Sequence, residues 1–359
     1  MTRSLRLLAG DNAYRRLRAE GFRPDLFRLL VGASGGPKWL VLSGLDRALA
    51  GGWLAGPDRQ ESLSMLGSSI GAWRLACHAM ADPGAALDRF REAYLAQRYT
   101  AKPPPAEVSA VSAGILRQVL GTSGAGEILS HETCRLAVVV ARSRHLAASE
   151  TGWVQATGLA GAALANMISR RALAGFYERA LFSDPRDRQR YAEYPVVARS
   201  TYGLTTGNLF NAVLASGSIP LVLEGVRDIP GGPEGIYRDG GITDYHFDLS
   251  FAPRGGLTLY PHFYSHLTPG WFDKSIGWRR VSPERLADTV ILCPSSAFLE
   301  RLPGGRIPDR SDFVDFDDAE RKRRWRRVVE ESNRLGDDFL ALADRLDPGD
   351  WLEKIDTGT

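Results

Sequence analysis

Cysteine is scarce: Cys77, Cys134 and Cys293 are the only three in 359 residues. They are widely spaced, make no metal-binding pattern and cannot all pair with one another. A disulfide-stapled fold is therefore not expected, and a reducing, cytoplasmic setting is. Long hydrophobic runs are missing too. No stretch approaches the roughly 18 uninterrupted apolar residues of a membrane-spanning helix. The start of the chain, Met1 to Asp11, carries too short an apolar run for a secretory signal. Charge of one sign is not in excess, since 45 Lys and Arg face 42 Asp and Glu, a formal net charge of +3. That balance does not call for nucleic acid as a partner. Internal repeats and low-complexity tracts are absent, and nothing in the pattern asks for a metal or an organic cofactor. Asp315, Asp317 and Asp318 do not follow EF-hand spacing. What remains is an ordinary globular composition, 44% hydrophobic and 24% charged. The length suits one large α/β domain or two smaller ones.

Glycine is plentiful, with 38 residues, and several sit in short motifs. Gly67-Ser68-Ser69-Ile70-Gly71 reads G-x-S-x-G. It follows an extended apolar stretch, Ser62 to Leu66, and precedes a helical one, Ala72 to Met80. Strand, glycine turn, serine and helix is the context of a nucleophile elbow. Gly67 and Gly71 remove β-carbons that would collide in such a turn. Ser69 Oγ would then stand exposed at a helix N-terminus that favours negative charge. The plainer reading is a strand-to-helix turn with a capping serine.

Three further segments bear on that choice. Leu29 to Trp39 runs from an apolar strand into Ser34-Gly35-Gly36-Pro37-Lys38. Two consecutive glycines let backbone N–H groups converge on one oxygen, as an oxyanion hole requires. A phosphate loop is excluded, because Pro37 and Trp39 flank Lys38 where Gly and Ser or Thr are needed. Ala215-Ser216-Gly217-Ser218-Ile219-Pro220 follows a helical stretch from about Gly207 to Leu214. Tyr237-Arg238-Asp239-Gly240-Gly241 follows the loop Pro230 to Gly235. Taken singly, each reads as a turn.

In this order, over roughly residues 26 to 250, the four motifs resemble the patatin-like phospholipases. The resemblance implies a three-layer α/β/α fold with a central, mostly parallel sheet and a helical C-terminal extension. It implies a Ser–Asp dyad that hydrolyses lipid acyl esters without a catalytic histidine or a cofactor. Carried over, Ser69 is the nucleophile and Asp239 the base. The amides of Gly35, Gly36 and Ile70 are the oxyanion donors, and Gly67, Gly71, Lys38, Gly240 and Gly241 support the motifs. The first motif departs from the family pattern, which begins with Asp and three glycines and ends in Gly. Here Ala33-Ser34 and Trp39 stand at those places, and Pro37 has no amide hydrogen to donate.

The implied domains are a segment 1–25, a catalytic domain 26–300, and a loop and helix 301–359 packed on that domain. An acyl-ester or lipid substrate is implied, with transient contact at a membrane surface. Esterase, thioesterase or acyltransferase chemistry on the same site stays open. So does a catalytically silent lipid- or protein-binding module. The chain order Ser69, Asp239, then His246, His262 or His266 also allows a hydrolase triad.

Short apolar runs predict strands at Phe27–Val31, Leu63–Leu66, Leu136–Val140, Leu257–Tyr260 and Val290–Cys293. Helices are predicted at Leu40–Leu49 and Trp73–Met80. Alternation of the two argues for a sheet covered by helices. From about Gly158 to Leu181 the pattern predicts one amphipathic helix with Leu159, Leu164, Met167, Ile168, Leu173, Phe176, Tyr177 and Leu181 on one side. Its alternatives are a core-facing helix, a cap over an acyl pocket, or an interfacial helix. The densest charge run, Arg321 to Arg327, opens a predicted helix reaching Leu346. It reads as a solvated face or as a basic stripe beside an exposed Trp325, with the acidic run Asp312 to Asp318 able to neutralise it.

Overall fold

The computed structural model describes residues 3–56, 59–188, 191, 200–251, 255–345 and 347–355. Eleven strands form one mostly parallel sheet. They are β1 (Leu5–Ala9), β2 (Phe27–Gly32), β3 (Leu63–Ser68), β4 (Cys134–Ser143), β5 (Tyr177–Ser183), β6 (Ser200–Gly203), β7 (Val226–Arg227), β8 (Ile236–Asp239), β9 (Leu257–Pro261), β10 (Thr289–Pro294) and β11 (Leu352–Lys354). The spatial order is β11-β1-β10-β9-β2-β3-β4-β5-β6, with β8 also on β4 and β7 on β8. All five strands expected from apolar runs are present, four of them one or two residues longer than the run and β4 twice its length. Their residues are buried along nearly their whole length, as parallel strands covered on both faces require.

One feature of the register governs the rest. β3 runs parallel to β4 and ends at Ser68 opposite Val139. β8 runs antiparallel to β4 and ends at Asp239 opposite Val140. The two strands thus approach each other along β4, at successive rungs of its ladder, and their last residues meet. Sequence patterning misses β8 because its four residues include Arg238, a charge at 0% exposure. Arg238 is stabilised there by Glu150 at 2.7 Å and the Leu223 carbonyl at 2.9 Å.

Helices cover the sheet. In chain order the first are α1 (Asp11–Glu20), α2 (Ser43–Ala48), α3 (Ile70–His78), α4 (Pro83–Leu95), α5 (Pro105–Leu120), α6 (Gly124–Ser130) and α7 (Gly152–Ile168). The helix Leu209–Ser216 and the long C-terminal helix Asp318–Ala343 follow. The predicted end of that last helix, Leu346, lies outside the described residues. Within the N-terminal segment, β1 lies in the sheet between β10 and β11. The C-terminal helix packs on α2, where Gly44 and Gly336 let the backbones close; a β-carbon on Gly44 would lie 2.2 Å from the Ser332 carbonyl oxygen.

Two expectations need correction. The predicted helix from Gly158 to Leu181 ends at Ile168. Ser169 turns extended and accepts a hydrogen bond from the Arg171 amide, a short 3-10 turn follows, and Tyr177–Ser183 is the strand β5 on β4. Apolar residues from a helix tail, the turn after it and the start of a strand line up in the sequence as one apparent stripe. Trp325 is not exposed either. At 1% exposure it donates to Asp312 at 2.7 Å. The basic run around it is held by carboxylates, with Arg321 on Asp318, Arg324 on Glu320 and Arg327 on Glu331.

A buried ion cluster joins α2 to α3. Arg74 donates from Nε and Nη2 to Asp46 at 2.7 and 2.6 Å, and His78 Nε2 lies 3.3 Å from the same carboxylate. Burial alone would raise the Asp46 pKa, but Arg74 and His78 together hold it below the usual range. Asp46→Ala strands the Arg74 charge in the interior, and about 3–5 kcal/mol of stability is expected to be lost in urea denaturation. In the parent protein this contribution is present above the unfolded-state pKa of aspartate and fades as pH falls through the folded one.

Candidate active site

Ser69 follows β3 at the N-cap position of α3, where its hydroxyl makes no capping hydrogen bond. Its backbone sits at φ 52°, ψ −133°, a left-handed conformation that serine rarely adopts. Close packing dictates the glycines around it. A β-carbon on Gly67 would lie 2.6 Å from Ala72 Cα, and one on Gly71 2.1 Å from the Gly32 carbonyl oxygen. α3 therefore crosses β2 and β3 at a separation only glycine allows.

The Ser69 hydroxyl donates to Asp239 Oδ2 at 2.7 Å. Asp239 Oδ1 accepts the Gly241 amide, also at 2.7 Å. Both side chains belong to residues only 6% exposed. Gly240 and Gly241 permit the tight turn: a β-carbon on Gly240 would meet the Val139 carbonyl at 2.2 Å, and one on Gly241 would meet Ser34 Oγ at 2.5 Å. Burial pushes the Asp239 pKa above the ordinary carboxyl value, and the hydrogen bonds from Ser69 and Gly241 oppose the shift without cancelling it.

Three serines hold the turn in place. Ser216 Oγ accepts the Ser69 amide at 2.8 Å and donates to the Val139 carbonyl at 2.7 Å. Ser34 and Ser68 hydroxyls lie 2.7 Å apart, and Ser68 donates to the Asp244 carbonyl at 2.6 Å. The segment holding Ser216 stood out in the sequence, but its role did not, because that role depends on a contact 147 positions away. Ser34 and Ser68 gave no sequence signal beyond their neighbourhood to glycine.

The candidate oxyanion donors surround Ser69. Gly35 borders a small cavity beside Ser69 and Asp239, and Gly36 and Ile70 border a larger one. Among the described residues no acceptor takes the Gly35 amide, whereas the Ser34 amide is used by the Tyr245 carbonyl at 3.0 Å. Gly36 and Ile70 are first residues of helical segments, where amides have no intrahelical acceptor. Gly36 adopts φ 54°, a glycine conformation. Lys38 turns elsewhere: it is 8% exposed and ion-paired with Asp309, which ties the glycine turn to the C-terminal segment. The neighbouring Arg310 borders both cavities, a position no local pattern announced.

The larger cavity holds about 340 Å³ and is lined mainly by apolar side chains, among them Ile70, Trp73, Val108, Ile115, Ile219 and Phe313. The smaller holds about 10 Å³, close to the least space that accommodates one water.

The candidate triad histidines are placed otherwise. His246 Nδ1 accepts the Thr268 amide at 2.9 Å, and His262 Nδ1 lies 3.0 Å from the Tyr264 amide. His246 and His262 are buried in a cluster of aromatic rings, and His266 stacks on Tyr264. Burial drives the His246 pKa well below its ordinary value and His262 down to about 3. Among the described residues no histidine is hydrogen-bonded to Ser69 or Asp239. Nor do they contain a group of three or more His, Cys, Asp or Glu side chains able to hold a metal ion. No helix among them is long and apolar enough to cross a membrane. No protein-family model matches the chain, and no curated protein matches it.

Proposed function

We propose that this chain is a serine acyl hydrolase of patatin type, with a three-layer α/β/α catalytic domain, acting on acyl esters of lipids. The observation that carries the reading is the 2.7 Å hydrogen bond from Ser69 Oγ to a buried Asp239 carboxylate beside an apolar cavity. A serine hydroxyl becomes a useful nucleophile only when a base takes its proton. Burial makes Asp239 a stronger base than a free carboxylate, and the Gly241 amide fixes its orientation.

The acyl chain occupies the 340 Å³ cavity, with the ester carbonyl at its Ser69 end. Ser69 Oγ bonds to the carbonyl carbon as its proton passes to Asp239. The amides of Gly35, Gly36 and Ile70 receive the negative oxygen; losing one such donor typically costs on the order of 100- to 1000-fold in rate. The tetrahedral adduct then expels the alcohol, which leaves with the proton from Asp239. Water enters, gives a proton to Asp239 and attacks the acyl-serine. Ser69 departs, regains the proton, and the free acid is released. The water-sized space that Ser69 and Asp239 both border has room for the water of this second half.

The deciding experiment is labelling with a fluorophosphonate, which traps an activated serine. The parent protein is expected to label and Ser69→Ala not to; equal labelling of both ends the proposal. The cavity makes a separate prediction. Ile115→Trp fills the acyl space, so hydrolysis of long-chain p-nitrophenyl esters is expected to fall at least tenfold while butyrate hydrolysis stays within about twofold, since one or two displaced methylenes are worth about 1–3 kcal/mol.

A further inference from the structure

Helix α7 carries no charged side chain along its 17 residues. Its inward face, Gln155, Gly158, Leu159, Ala162 and Asn166, is buried. Its outward face is apolar as well: Trp153 is 76% exposed, Leu164 and Met167 64%, and Ile168 86%, with Thr157 and Ala160 between. The outward face of a surface helix is ordinarily charged or polar. Large apolar side chains grouped in water mark a contact surface.

Both ends of the helix have exposed apolar neighbours. At the first end, the Gln155 side chain accepts the Leu221 amide at 2.7 Å. Leu221 and Val222 are themselves exposed, and Val222 lines the 340 Å³ cavity. At the other end, Arg279 donates to the Asn166 and Met167 carbonyls at 2.7 and 3.2 Å. The residue before it in sequence, Trp278, is 86% exposed. The chain then enters a cavity of about 780 Å³ lined by Arg144, Arg170, Arg171, Arg179, Arg279 and Arg285. These six face four carboxylates, Glu178, Asp244, Asp248 and Asp273. Arg171, and Arg280 next in sequence to Arg279, have no carboxylate partner among the described residues. Tyr177 also lines this cavity, and its buried hydroxyl has no hydrogen-bond partner there.

We infer that this strip is a docking surface for an anionic phospholipid bilayer. Trp153, Leu164, Met167, Ile168 and Trp278 enter the boundary between head groups and acyl chains, while Arg171, Arg280 and the arginine-lined cavity meet the phosphates. The charge pattern selects this occupant. A bilayer offers an apolar interior framed by negative phosphate, the complement of an apolar strip ending in surplus arginine. A second copy docked on the same face would bring two basic rims into one interface. The surface stands on exposure and charge, independently of the chemistry at Ser69.

The test is flotation of the full chain with phosphatidylcholine vesicles, with and without phosphatidylglycerol. The parent protein is expected to float with the anionic vesicles, and less as salt rises. Arg171→Glu/Arg280→Glu is expected to weaken that binding by about 25-fold or more, on the basis of about fivefold for each basic residue at a membrane surface. Ile168→Asp/Trp278→Ala is expected to weaken it at least tenfold at every salt concentration. Both variants should keep the parent melting temperature and its rate on a short soluble ester, and Ser69→Ala should float like the parent. Loss of esterase activity with flotation intact would count against the catalytic reading alone. The docking surface is overturned if the parent fails to float, or if both double variants float as the parent does. It is equally overturned if the parent is a dimer that ignores vesicles and Ile168→Asp makes it monomeric.

Discussion

Ester hydrolysis by the Ser69→Ala protein is expected to fall by on the order of 10⁴- to 10⁶-fold, the range seen when a nucleophile is removed from such machinery. The fold should survive. Alanine at position 69 keeps the β-carbon that the left-handed backbone already tolerates, and the amide still reaches Ser216 Oγ. What disappears is the hydroxyl that donates to Asp239, so the carboxylate loses one of its two partners. Its pKa then moves further up, since burial was the cause of the shift and the Ser69 bond opposed it. Steady-state rates on a p-nitrophenyl ester read the effect directly. Activity within tenfold of the parent would remove Ser69 from the chemistry.

Asp239→Asn is expected to lower kcat by on the order of 100- to 10,000-fold, the usual contribution of a positioned base. It should also raise the melting temperature at neutral pH. The sign follows from linkage. The Asp239 pKa is higher in the folded protein than in the unfolded chain, so the folded state holds that proton more tightly. As pH climbs past the unfolded value and then the folded one, folding must surrender the proton, and stability declines. Asparagine removes this cost. Its stability advantage over the parent should be greatest above the folded-state pKa and vanish below the unfolded one. In the parent protein, kcat/KM for ester hydrolysis is expected to drop on the acid side around a pKa above the roughly 3.9 of a free aspartate. A less stable Asn variant at neutral pH, or an acid limb at or below the free value, contradicts the arrangement.

The glycine motifs made Ser69, Asp239, Gly35, Gly36 and Ile70 candidates from the sequence, and the structure gathers them around two adjoining cavities. Local backbone demands explain this legibility: a strand turning sharply into a helix, or two glycines in a row, leave a mark within a few residues. Contacts across the sheet leave none. Ser216, Arg310 and the pairing of Lys38 with Asp309 depend on segments more than 100 positions apart, and no spacing rule reaches that far. Strands announced themselves where apolar residues run on unbroken, as in Leu29–Val31 of β2 and Leu136–Val140 of β4. They stayed hidden where the strand carries charge, as with Glu178 and Arg179 in β5 and Arg238 in β8. The apparent helix through Leu181 shows the same limit, because a period of 3.6 and a period of 2 coincide over short stretches.

The meeting of β3 and β8 at neighbouring rungs of β4 insulates the Ser69–Asp239 distance from the 169 residues that separate them. Trimming or lengthening the surface connections in that interval leaves the spacing unchanged. A single residue inserted between Val139 and Val140 would pull the two side chains apart by one strand step, about 3.3 Å, and break their hydrogen bond. The tolerance of this fold to rebuilding is therefore set by one peptide bond, far in sequence from either group it aligns.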